Sequence, residues 1–253
     1  MQHALNLPQA PTTPARPAAW TDTIHNAAKA HTAQCYPREA VGIVERGHYV
    51  PLDNRSEQPE RDIYLSDEDL LRVAGADVFF HSHPDGLGAP SETDMVYQLQ
   101  LGIPFVVIVW PLYDVFWWGD MLDRAPLLGR GFRHGVHDCF ALCRDYYLEQ
   151  GIELADLARD WDWWSGRVPK NLYLDNFKAW GFERIPVTEA TKPGDGLLMQ
   201  FLAPVPMHAA VVWDRDLLLH HPAGQRPVDP TRLSVLVPRS RYARHAITGL
   251  RKT

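Results

Sequence analysis

Two short runs, His81-Ser82-His83-Pro84 and, after six intervening residues, Ser91-Glu92-Thr93-Asp94, decide how the first half of this chain folds. The residues leading in, Ala76-Asp77-Val78-Phe79-Phe80, read as a short buried strand. A strand alternates its side chains with a period of two, so His81 and His83 project to one side. Ser91-x-x-Asp94 stands ahead of Met95, Val96 and Leu99, which marks a helix start. There the serine oxygen accepts a backbone N–H and the acid offsets the helix dipole. A helix over Ser91 to Leu101 therefore carries Asp94 in its first turn and aims it back at the histidines. Two imidazoles and a carboxylate form the protein share of a catalytic zinc site. The open fourth position takes a water whose pKa falls toward ~7.

The order His-x-His, seven residues, Ser, two residues, Asp resembles the JAMM (Mov34/MPN) metalloprotease family. That family also places a glutamate upstream, after a helix and before a strand. Glu39, in Tyr36-Pro37-Arg38-Glu39-Ala40-Val41-Gly42-Ile43-Val44, matches that segment, with the preceding helix over Ala18 to Cys35. The resemblance implies that His81, His83 and Asp94 bind Zn²⁺. It implies further that Glu39 holds and deprotonates the water and that Ser91 hydrogen-bonds the oxyanion. A carboxylate base and a hydroxyl donor are what amide hydrolysis needs. Without the resemblance, Glu39 reads as a solvated surface acid.

From Gly131 onward the chain offers a different chemistry. His137-Asp138-Cys139 precedes Phe140-Ala141-Leu142-Cys143-Arg144-Asp145-Tyr146-Tyr147-Leu148, a helical pattern with Leu142, Tyr146 and Tyr147 facing a core. Cys139 falls in the first turn, where the dipole favours thiolate. Cys35 and Cys143 read as small buried hydrophobes. Lys192-Pro193-Gly194-Asp195 reads as a turn. Strands follow over Gly196 to Phe201, Met207 to Trp213 and Leu217 to His221.

A cysteine at a helix start, then Pro-Gly-Asp, then a strand opening with histidine resembles the NlpC/P60 family of papain-like cysteine peptidases. The resemblance makes Cys139 the nucleophile and His208 its general base. The orienting residue, twelve positions on, is His220, in the logic of any thiol protease. His221 competes for that role, and strand alternation turns only one of the two toward His208; His220 is favoured. This chain has Phe140 and Ala141 where the family often has serine and glycine. It also lacks the tyrosine that many cell-wall members carry upstream of the cysteine, the nearest aromatic being Phe132. These departures bear on substrate recognition rather than catalysis.

The expected architecture is mixed α/β: a JAMM-like mixed sheet sandwiched by helices, then a papain-like α+β domain of the NlpC/P60 type. At 253 residues there is room for two domains. They are expected as a disordered tail over 1–17, a zinc metallopeptidase domain over 18–122, a linker over 123–130 and a cysteine peptidase domain over 131–253. In the first half the reading gives strands near Val41 and His48, a helix over Asp67 to Ala74 and a strand over Val78 to His81. It continues with the strands Phe105 to Trp110 and Asp114 to Trp118. Trp161-Asp162-Trp163-Trp164-Ser165-Gly166-Arg167 reads equally as a core plug and as a groove wall for a sugar-peptide substrate.

Residues 1–124 hold 8 Lys+Arg against 17 Asp+Glu, and residues 125–253 hold 17 against 14. The overall charge of −6 and the lack of a basic run exclude a nucleic-acid partner. No stretch approaches the ~20 apolar residues of a membrane span. The first residues, rich in Pro, Ala, Thr and Gln, lack the basic start and apolar centre of a signal peptide. Three cysteines without scaffold spacing suit reduced thiols and cytoplasmic synthesis.

A JAMM domain followed directly by an NlpC/P60 domain resembles the K-type tail assembly proteins of lambda-like phages, over about Ala18 to Arg251. The resemblance implies a peptidase made in the host cytoplasm and carried on the virion tail tip. Its partners would be other tail tip proteins and its substrate a peptidoglycan stem peptide. Two other readings stand beside it: an assembly part whose peptidase activity is incidental or confined to maturation, and an isopeptidase acting on a ubiquitin-like modifier.

Overall fold

A computed structural model describes residues 14–165 and 170–253. The described chain divides into two compact units, residues 14–124 and 125–253.

In the first unit Thr21 caps α1 (Asp22–Cys35), its hydroxyl accepting the Ile24 N–H. The helix thus begins later than the Ala18 expected, because Pro17 to Trp20 close a turn and the threonine oxygen replaces the missing helical acceptor. After β1 (Val41–Glu45), β2 (His48–Leu52) and α2 (Asp67–Val73) come β3 (Val78–Pro84), α3 (Glu92–Leu101), β4 (Phe105–Trp110) and β5 (Asp114–Trp118). The sheet order is β2-β1-β3-β4-β5. Only β3 and β4 run parallel, and α3 makes the crossover that a parallel pair requires.

Alternation assigns the faces. Trp20, Ile24 and Ala28 pack on Val78, Phe80, Val106 and Ile108. The intervening residues Phe79, His81 and His83 take the other face beside Phe105 and Phe116. Residues 1–13 of the expected tail lie outside the described residues. Residues 14–17 are tied down: Trp117 Nε1 donates to Pro14 O (3.0 Å) and Ala15 N to Asp123 O (3.0 Å). Cys35, expected to be buried, is half-exposed at the end of α1.

The second unit runs β6 (Gly131–Arg133), α4 (Cys139–Glu149), α5 (Leu172–Asn176), β7 (Phe182–Ile185), β8 (Gly196–Met199), β9 (His208–Val212) and β10 (Leu217–His220). It ends with β11 (Val228–Leu233), β12 (Val235–Pro238) and β13 (Ala246–Lys252). Six strands form an antiparallel sheet in the order β12-β10-β9-β8-β13-β7, and β6 pairs with β11.

Leu142, Tyr146 and Tyr147 of α4 pack on Leu198, Ala209, Val211 and Leu219. Leu197, Ala210, Val212 and Leu218 form the core of the opposite face. The segment 125–130 is packed into this unit. The Arg130 guanidinium is fully buried, paired with Asp145 and donating to the carbonyls of Ala125 and Pro126. Trp163 takes the core position of the two considered, its ring against Tyr173, while Trp161 packs on Phe132 and His134. Gly166 and Arg167 of that aromatic run lie outside the described residues.

Candidate functional site

The strand and the helix start converge as their spacing requires. His81 Nε2 lies 3.1 Å from Asp94 Oδ1, His83 Nε2 lies 3.3 Å from Asp94 Oδ2, and the two Nε2 atoms are 3.1 Å apart. With one ligand atom taken from each residue, the three lie within 4.8 Å of one another, close enough to converge on one zinc, whose ligands at 2.0–2.1 Å stand about 3.3–3.4 Å apart. His83 Nδ1 faces Leu87 O at 3.0 Å. A hydrogen bond there places the proton on Nδ1 and leaves the Nε2 lone pair for a metal. Asp94 also closes a capping box: its carboxylate accepts the Ser91 N–H (2.8 Å) while Ser91 Oγ accepts the Asp94 N–H (3.1 Å). The start of α3 is therefore itself what holds the carboxylate. Burial works against the Asp94 carboxylate, but the two imidazoles outweigh it and hold the group well below the usual range.

Glu39 reaches the same end of β3. Val41 pairs with His81, and Ala40 bonds Ser82 through both its amide and its carbonyl. Glu39 is buried rather than solvated, and burial pushes its carboxyl up against the pull of His81 and His83. Ser91 spends a lone pair on the cap, which leaves its O–H proton free to donate.

The cysteine centre is built on α4. Asp138 is the N-cap, its Oδ1 accepting the N–H groups of Phe140 (3.0 Å) and Ala141 (2.9 Å), so Cys139 occupies the first helical position. Oδ2 of Asp138 accepts from Arg159 Nη2 at 2.7 Å and from the Gly135 N–H at 2.9 Å, all within the interior. Burial disfavours the Asp138 charge, yet Arg159 and His134 hold its carboxyl far below the usual range. The Cys139 sulfur hydrogen-bonds to the Tyr173 hydroxyl (3.3 Å), and the backbone amide of Ala209, the residue after His208 on β9, lies near it and favours the thiolate.

His208 Nε2 meets Nδ1 of His220 at 3.2 Å, leaving Nδ1 of His208 as its other ring nitrogen. Tyr242 meets His220 edge to face with its hydroxyl 3.5 Å from Nε2, and Phe201 packs against both His208 and Tyr242. His221 turns away to pack on Phe132. Among the described contacts the sulfur is bonded to Tyr173 rather than to the His208 ring.

The expected dipole-favoured thiolate is corrected by the surroundings. Burial, and then the Asp138 charge, push the thiol up, and Tyr173, the Ala209 amide and Arg159 offset this only in part. Burial and the neighbouring His220 and His221 push His208 down to about 3. Both shifts favour the neutral thiol and the neutral imidazole. The Pro193-Gly194-Asp195 turn is structural: Gly194 takes φ 87°, and Asp195 accepts both the Lys192 N–H and the guanidinium of Arg251 on β13. Tyr173, Arg159 and Tyr242 had no signal in the sequence, since each reaches the site from a separate element.

A thiol at the start of a helix packed on an antiparallel sheet, beside strands carrying a bonded histidine pair, defines the class of a cysteine peptidase. The NlpC/P60 family model matches residues 116–247, which take in Cys139, Tyr173, His208 and His220. The chain is 34% identical over 209 residues to the tail tip assembly protein K of Escherichia phage N15, covering 79% of this chain and 84% of that one. It is 43% identical over 142 residues to the tail tip assembly protein K of Escherichia phage lambda, covering 56% and 67%. The chain belongs to the NlpC/P60 family of cysteine peptidases and, with these relatives, to the tail tip assembly protein K family. An NlpC/P60 family protein from Bacillus cereus ATCC 10987 aligns at 12% identity and a TM-score of 0.30, covering 88% of this chain and 66% of its own, a likeness too loose to bear on the fold.

Proposed function

We propose that the protein works at a phage tail tip as a peptidase, its cysteine centre cleaving an amide of the peptidoglycan stem peptide. In this reading the chain is made in the host cytoplasm and acts from the virion, beside other tail tip proteins. The observation that carries it is the bonded pair His208–His220 on strands beside α4, whose first residue is Cys139. For His208 to take the thiol proton at Nδ1, its Nε2 must carry a hydrogen and donate to Nδ1 of His220. That in turn requires His220 to be protonated at Nε2, toward Tyr242. The thiol proton then moves to Nδ1 of His208 as the sulfur attacks, and the Nδ1 lone pair of His220 stabilises the imidazolium that forms.

The second centre is read as a JAMM-like zinc (iso)peptidase site, with His81, His83 and Asp94 as the ligands. Bound zinc would supply Lewis acidity and an activated water. Glu39, its carboxyl raised by burial, is suited to accept that water's proton, and the Ser91 hydroxyl to donate to the developing oxyanion.

Mass spectrometry of purified peptidoglycan, incubated with wild type and with Cys139→Ala, tests the first reading. New stem-peptide fragments that vanish with the variant are expected. No fragments from either protein would favour a second reading that the relatives' name supports, in which the chain is chiefly a part of tail assembly.

A further inference from the structure

The Cys139 sulfur is held by a tyrosine 34 residues further along the chain. We propose that Tyr173 is a further catalytic residue of the cysteine centre, its phenolic O–H donating to the sulfur so that the nucleophile is held in one rotamer and its thiolate is stabilised as it forms. The proposal rests on the reading of Cys139 as nucleophile.

Tyr173 stands on α5 and is 4% exposed. Its ring is fixed by edge contacts with Phe140 (6.0 Å) and Trp163 (5.7 Å), so the hydroxyl has little freedom to turn elsewhere. A buried hydroxyl needs a partner, and here the partner is sulfur at 3.3 Å. A phenol is the stronger donor of the two and a thiolate only accepts, so the O–H→S sense gains strength as the sulfur loses its proton.

Of the groups around the sulfur, Asp138 beside it disfavours a negative charge. Arg159 favours it from the far side of Asp138, and His208 stands next to Ala209 on β9. Among the described residues the Tyr173 hydroxyl, at 3.3 Å, sets a hydrogen on the sulfur itself, and the Ala209 amide lies near it. Burial, and then the thiol beside it, push the phenol well above its ordinary range, so it keeps its proton wherever the thiol titrates.

The test is the pH dependence of Cys139 alkylation by iodoacetamide in the full chain, followed on the Cys139 peptide by mass spectrometry. In that reaction an S–C bond forms, iodide leaves and the thiol proton passes to buffer. Tyr173→Phe keeps the ring contacts and should raise the midpoint for Cys139 by about one unit, the effect of losing a hydrogen bond to a charged group. Cys35, half-exposed in the other unit, should titrate unchanged as an internal reference. Replacing Tyr173 with 3-fluorotyrosine strengthens the donor and should move the midpoint down, and it decides the matter if the phenylalanine variant does not fold. An unchanged or lowered midpoint in folded Tyr173→Phe would overturn the proposal. The expected shifts in a protein that leaves peptidoglycan uncut would uphold the role of Tyr173 and sink the wall-cleaving reading.

Discussion

His81, His83 and Asp94 each set a ligand atom within 4.8 Å of the others because two share one face of a strand and the third is fixed by a helix cap. Glu39 is different: it arrives through the β1–β3 pairing and is oriented by no motif of its own. Ligand and base are separable by experiment. His81→Ala should lose bound zinc, measured by elemental analysis of the dialysed protein. Glu39→Gln should retain zinc at the wild-type level while abolishing any hydrolysis by that centre, and a Glu39→Gln protein without metal would make Glu39 a ligand instead. The same distinction explains what was legible beforehand. His81, His83, Asp94 and Cys139 lie in short runs whose local geometry follows from strand and helix periods. The burial of Glu39 is a property of the packed sheet, and no local pattern announces it. Tyr173 and Arg159 reach the sulfur and Asp138 from α5 and a loop, contacts that only tertiary packing creates. The raised Cys139 thiol was missed for that reason too: the helix dipole is local and readable, whereas burial and the Asp138 charge beside it are not.

At the level of elements, α4 depends on one carboxylate for two tasks. Asp138 caps the helix that starts with Cys139, and it pairs with an interior arginine that reaches on to Asp156 and the Leu157 carbonyl. Removing the carboxylate leaves the Arg159 charge half-paired in the interior as well as losing the cap. Asp138→Ala should therefore cost about 3–5 kcal/mol in urea unfolding, well beyond the ~1 kcal/mol of an ordinary cap. Adding Arg159→Met removes the stranded charge, so the double variant should be more stable than Asp138→Ala alone; a strictly additive loss would show that the two side chains do not act as a pair. Strand assignments in this unit were readable one by one from alternation. Their order was not, because β13 at the end of the chain inserts between β7 and β8, a long-range pairing that no local pattern encodes.

Across the whole molecule the two units carry their ionisable interiors differently, which gives each its own thermodynamic handle. In residues 125–253, burial pushes His208 down to about 3 and both His220 and His221 down to about 4, so all three stay neutral in the fold. The unfolded chain starts to bind their protons near pH 6.5 and the folded one only below about 4. Stability is therefore level above pH 6.5 and declines as pH falls from there toward 3–4, by about 1.4 kcal/mol per histidine at pH 5.5. His221 is the one to remove, since its nitrogens lie near the main chain of Arg130 and Pro222 without completing a hydrogen bond and its ring already packs on Phe132. His221→Phe should leave stability near wild type at pH 7.5 and exceed it by about 1 kcal/mol at pH 5.5. In residues 14–124 the handle would be the proposed metal. Zinc that binds the folded donor triangle but not the unfolded chain raises stability by RT ln(1 + [Zn]/Kd), about 2.7 kcal/mol at a hundredfold excess over Kd. Scanning calorimetry at pH 7.5 should then show two transitions, of which a chelator lowers only the one that His81→Ala also lowers, while His221→Phe at pH 5.5 raises the other. A chelator that moved both transitions together would mean that the units unfold as one cooperative block, and metal at the first centre would then bear on the stability of the second.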